Sequence, residues 1–163
     1  MALTTEQLTA LRDYINTIPE WSALPNDSSS ALFIAQQMDA AASPKFIVWR
    51  TMTSQDEIML NGFDWVRVDN LSVGKARIWE WLFSNDARAI NPSKVNVRAG
   101  IDEAWKGTSA DLAVRAAVYA HCKRAATIAE KVLATGQGTT ENPATMGFEG
   151  QLSYADVQAA RSL

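Results

Sequence analysis

The sequence predicts a mainly α fold: a helical bundle with one long C-terminal helix, a short extended segment near residues 46–51 and an extended C-terminal arm. Three observations predict it. Apolar residues recur at spacings of three and four along most of the chain. Ser and Thr stand three positions ahead of Gln, Glu or Asp at the heads of several of these stripes, the pattern that satisfies the free N–H groups of a helix start. Only one short run is rich in β-branched and aromatic residues.

Thr4 and Gln7 form a capping box, and Leu8, Leu11, Ile15 and Ile18 follow on one helical face until Pro19 stops it. Asn26, Asp27 and Ser28 offer N-caps for a second helix with the stripe Ala31, Ile34, Ala35 and Met38, ended by Ser43-Pro44. Phe46-Ile47-Val48-Trp49 reads as extended and buried. Ser54-x-x-Glu57 caps a short helix expected to close at Asn61-Gly62, and Phe63 and Trp65 fold back onto the core. Residues 72–83 form an amphipathic helix burying Ile78, Trp79 and Leu82.

Asn91-Pro92-Ser93 predicts a helix start, with Asn91 as N-cap and Pro92 at the first helical position, and Val97, Ile101, Ala104 and Trp105 on the inner face up to Gly107. Thr108-x-x-Asp111 opens the longest helix, through about Ala134. Val114, Val118, Cys122, Ala125, Ile128, Ala129 and Val132 are its stripe, and Gly136 is its C-cap. Such a rod would run about 40 Å.

After Gly136 the composition turns to Gly, Thr and Asn. Met146, Phe148 and Leu152 then alternate loosely with polar residues, and Ser153-x-x-Asp156 caps a last short helix holding Val157. The expected organisation is a helical body over 1–134, then a Gly/Thr-rich hinge and extended arm with a short terminal helix over 135–163. A flexible hinge followed by an ordered tip is expected for these last residues.

Hydrophobic residues are 47% and charged residues 20%, an ordinary globular balance that supports a core without disulfides. Fifteen basic residues against eighteen acidic ones leave a net charge of −3, which lacks the basic field of a general nucleic-acid binder. Cys122 is the single cysteine, so no internal disulfide forms. No signal peptide or membrane span is read from the sequence, and the chain is expected in the cytoplasm until it is assembled.

No pattern reads as a catalytic, cofactor or metal site. His121-Cys122 are helix neighbours that diverge by about 100°, and a metal needs three or four converging ligands. Gly136-Gln137-Gly138-Thr139-Thr140 carries no lysine and follows a helix, unlike a phosphate-binding P-loop. The carboxylates Asp56, Glu57, Glu80, Asp102 and Glu103 give no acid–base pair by spacing alone.

Surfaces are more informative. Trp79 and Trp81 lie two residues apart, roughly 200° around a helix, so one of them must leave the core for another surface. Lys75, Arg77, Arg88, Lys94 and Arg98 form a basic stretch. It faces a phosphate backbone, an acidic partner, or solvent with i,i+4 pairs such as Arg98–Asp102. With the apolar tip, these features mark Trp79, Trp81, Lys94, Arg98, Met146, Phe148, Leu152 and Tyr154 as candidate partner-interface residues.

Several segments resemble one family. They are Phe46–Thr51 (FIVWRT), Gly74–Glu80 (GKARIWE), Ile90–Gly100 (INPSKVNVRAG), Lys131–Thr139 (KVLATGQGT), Pro143–Thr145 (PAT) and Phe148–Gly150 (FEG). Together the chain resembles small proteins encoded in the virion-structure modules of tailed bacteriophages, over most of its length. The resemblance implies a head–tail connector (adaptor): a helical subunit of a homo-oligomeric ring, usually a dodecamer, whose C-terminal arms reach into the portal. Its implied partners are the portal and neighbouring neck or tail proteins, with DNA passing through the lumen without sequence-specific contact and no membrane. The implied place is the virion neck. The alternatives are a tail-completion or capsid-associated virion protein, or a small cytoplasmic phage regulator that binds a host protein.

Overall fold

The computed structural model describes residues 2–60 and 63–163. The helix end expected at Asn61-Gly62 lies outside the described residues. The fold is mainly α: among the described residues, ten helices hold about 52% of the chain. In chain order the elements are α1 (Thr5–Asn16), α2 (Pro19–Ser22), α3 (Ser28–Met38), β1 (Ile47–Trp49), β2 (Thr53–Ser54), α4 (Gln55–Leu60), α5 (Trp65–Asp69) and α6 (Val73–Leu82). They continue with β3 (Ala89–Ile90), α7 (Val95–Ala104), α8 (Ser109–His121), β4 (Lys123–Ala125), α9 (Ile128–Val132), β5 (Ala134–Thr135), β6 (Thr145–Met146) and α10 (Tyr154–Arg161). The strands pair only in twos, β1 with β4, β2 with β3 and β5 with β6.

The chain divides into two compact units, one formed by residues up to Val48 together with Ala125–Leu163, the other by Trp49–Arg124.

In the first unit, α1 and α3 both pack on α10, and α9 joins them. Thr4 and Gln7 make the capping box that starts α1, and the Asp27 carboxylate caps α3 by accepting from the Ser30 N–H at 2.8 Å. The stripes then meet: Leu11 and Ile15, Ala31, Ile34, Ala35 and Met38, Ala129, Leu152, Val157 and Ala160 form one core. Val48, Ala126 and Ala144 form a smaller one, with Phe46, Ala134 and Met146 against it. Beyond residue 135, Ala144, Met146, Phe148, Leu152, Val157 and Ala160 thus contribute to these two cores. β6 pairs with β5 in the register Ala134↔Met146, and the Ser153–Asp156 capping box starts α10. Arg161 donates to the carbonyl of Pro25 at 2.9 Å, and Gln7 donates to that of Gly147 at 2.7 Å.

In the second unit, α6 packs on α7 and α4 on α8. Ile58, Phe63, Trp79, Phe83, Ile90, Ile101, Ala104, Trp105, Val114, Val118 and Cys122 form its core. β2 and β3 pair antiparallel, Thr53 opposite Ile90. Phe63 is buried as expected, whereas Trp65 opens α5 and is largely exposed.

Two helix boundaries differ from expectation. α8 stops at His121, thirteen residues before Ala134, because the following residues become a strand. A short buried β1 needs partners for its backbone groups. Strand β4 pairs with β1, and the flanking residues are tied as well: Ala126 N–H donates to Phe46 O at 2.9 Å, and Arg50 N–H donates to Cys122 O at 2.9 Å. Gly136 accordingly follows β5 and caps no long helix. α7 begins at Val95, with Lys94 rather than Asn91 as its N-cap. The Asn91 carboxamide oxygen accepts from the Ser93 N–H at 3.1 Å, a local turn that competes with helix.

Candidate functional site

α6 separates its two tryptophans, since the helix turns them to opposite faces. Trp79 lies in the second unit's core, 4% exposed, and so offers no surface in the folded chain. It stacks on Phe63 at 5.8 Å and meets Trp105 and Phe83 edge-on at 5.3 and 5.0 Å. These are favourable offset and T-shaped pairs. Trp81 is 72% exposed.

The basic stretch separates as well. Lys94 is exposed, but Arg98 is half-buried and does not pair with Asp102. Its guanidinium donates to the carbonyls of Pro92 and Ser93 at 2.7 and 2.9 Å and lies 4.8 Å from the Trp49 ring centroid. Arg98 thus holds the turn ahead of α7. Lys75 donates to the carbonyl of Lys106. Asp102 instead accepts from the Tyr119 hydroxyl at 3.0 Å and lies 3.5 Å from Arg115. Burial and that carboxylate push the Tyr119 phenol above its ordinary range.

The C-terminal candidates fall in the first unit. Met146 is half-buried on the smaller core, Phe148 is half-buried on the larger one, and Leu152 is buried. Tyr154, the first residue of α10, is 48% exposed.

No family model, curated protein or solved structure matches the chain.

Glu57, Asp102 and Glu103 are each engaged separately. Glu57 accepts from Arg50 at 2.9 Å and from the Ser54 N–H at 3.0 Å, which completes the cap expected there. Glu103 pairs with Lys106. Among the described residues no three His, Cys, Asp or Glu side chains come together as a metal site. Cys122 belongs to the core, and burial pushes its thiol up to about 12.

A further pair also escaped the sequence reading. Arg67 on α5 donates at 2.6 Å to Asp111 on α8. The Arg67 hydrogen bond, then the Thr108 backbone N–H, hold the Asp111 carboxyl down at about 2. The Thr108–Asp111 cap was readable, but no local signal marks Arg67. Trp81 and Lys94 are exposed in the second unit, and Tyr154 is exposed in the first.

Proposed function

We propose that the chain is a structural subunit of a tailed-bacteriophage virion, a head–tail connector that assembles as a ring in the neck and docks under the portal. It acts by binding and not by catalysis. The observation that carries the reading is the set of family-like segments, which spans residues 46–150 and so covers both units. The exposed Trp81, a large aromatic of the type enriched in interface cores, supports it.

In this reading residues 135–163 are the arm. Met146, Phe148 and Tyr154 turn to the portal on docking, and DNA passes the ring without base-specific contact. Because Leu152, Val157 and Ala160 belong to the first unit's core, deleting the arm would expose that core. Point variants at exposed positions are the better probe.

The test is the mass of the purified chain alone and with a candidate portal. A discrete ring on the portal, lost in Trp81→Ser or Tyr154→Ser variants of normal helicity, is the expected result. A chain present in virions that ignores the portal would point to a tail-completion or capsid-associated protein. Absence from purified virions would point to a cytoplasmic regulator.

A further inference from the structure

A hollow of about 420 Å³ opens in the first unit between the segment 44–47, Lys131 of α9 and the loop 137–141. That size suits a small ligand. Hydrogen bonds tie its walls together. The Ile47 N–H donates to the Gly138 carbonyl at 2.8 Å, the Thr139 N–H to the Asn142 carbonyl at 3.1 Å, and the Asn142 N–H to the Thr139 hydroxyl at 2.9 Å. Gly138 has φ +70°, and a Cβ there would come within 2.0 Å of the Phe46 ring. The ring therefore lies directly on the glycine, where no other residue fits.

The lining is chemically uneven. Lys45 and Lys131 both border the hollow, and neither forms an ion pair among the described residues. Lys131 Nζ lies 6.0 Å from the Phe46 ring centroid, which keeps the ammonium over the ring face. Gln137 and Thr139 add groups able to donate hydrogen bonds, and Glu141 contributes the one carboxylate. Two ammonium groups against one carboxylate leave the hollow positive in a chain whose net charge is negative. The loop lacks a lysine of its own, but the fold brings two to it.

We infer that this hollow binds a phosphate monoester, its phosphate held between Lys45 and Lys131 and its organic part against Phe46. Lysine binds phosphate as a point charge, which matches two flexible ammonium groups at an open rim.

Titration of the full chain with adenosine monophosphate, followed by amide NMR, tests the inference. Adenosine and inorganic phosphate are the separate arms. Shifts at residues 45–47, 131 and 137–141 are expected, with inorganic phosphate competing and adenosine alone inert. The Lys45→Ala/Lys131→Ala double variant should bind at least about tenfold more weakly, and Glu141→Gln should bind more tightly. The Arg double variant, which keeps both charges, should retain binding if folding is intact. No shift at roughly 10 mM nucleotide would overturn the inference. So would unchanged affinity in the Lys→Ala double variant, or binding of adenosine equal to that of its monophosphate.

Discussion

Asp111 closes the capping box of α8 and also takes the Arg67 guanidinium at 2.6 Å, so one side chain ties α5 to α8. Its carboxyl titrates at about 2, below the ordinary value of 3.8. A depressed carboxylate stabilises the fold above its ordinary pKa, and that contribution is lost as pH falls through the folded value. Urea unfolding followed by tryptophan fluorescence should therefore lose stability between about pH 4 and pH 2, and Asp111→Asn should flatten that slope. Apart from Trp21 every tryptophan lies in the second unit, so the signal reports the right place. Cys122 has the opposite sense: its thiol stays protonated up to about 12. At neutral pH a thiol reagent should label it only as fast as the unit opens, and urea should accelerate labelling sharply. Rapid labelling in native buffer would contradict the burial. The Asp111 cap was legible because its partner Thr108 is three residues away; Arg67, forty-four residues distant, was not.

Helix starts were legible for the same reason. Thr4, Asp27, Thr108 and Ser153 each cap the helix that their spacing announces. Thr108→Ala should cost about 1 kcal/mol in chemical denaturation. The end of α8 was not legible, since burial at Cys122, Ala126 and Ala129 keeps helical spacing straight through β4. What breaks the helix is the demand of β1 for a partner, and β1 lies more than seventy residues upstream. The turn at Asn91 was misread because an Asn before Pro serves a helix N-cap and a local turn equally well. α10 is held by apolar contact, and Leu152 just ahead of it is 6% exposed. Leu152→Ala should destabilise the first unit by about 2–5 kcal/mol, read from loss of helical circular dichroism in urea.

At the scale of the molecule, the two principal cores share no residue. Trp105→Ala, in the second, should lower amide-exchange protection across residues 49–124 more than across α1, α3 and α10, and Ile34→Ala should do the reverse. Equal losses everywhere would mean one cooperative block. The mainly α class and the change of composition after Gly136 were legible from the sequence. Which core a given stripe joins was not, because an apolar face of α1 and one of α8 look alike until their partners are known. The candidate surface was legible in part: the opposition of Trp79 and Trp81 follows from helix geometry, whereas the use of Arg98 in its own turn does not.

The division of the chain also has an order in time. The first unit is written in two pieces, and the second lies wholly between them. During synthesis, residues 49–124 emerge as a continuous stretch and hold every residue of their own core before α9 and α10 exist. The helices α1 and α3, by contrast, have no α10 to cover Leu11, Ile15, Ile34 and Met38 until residues 154–161 have been made. The half-made chain thus carries a finished middle and an uncovered beginning. The helix α10, made after both, is what shields those side chains from neighbours that would otherwise bind them.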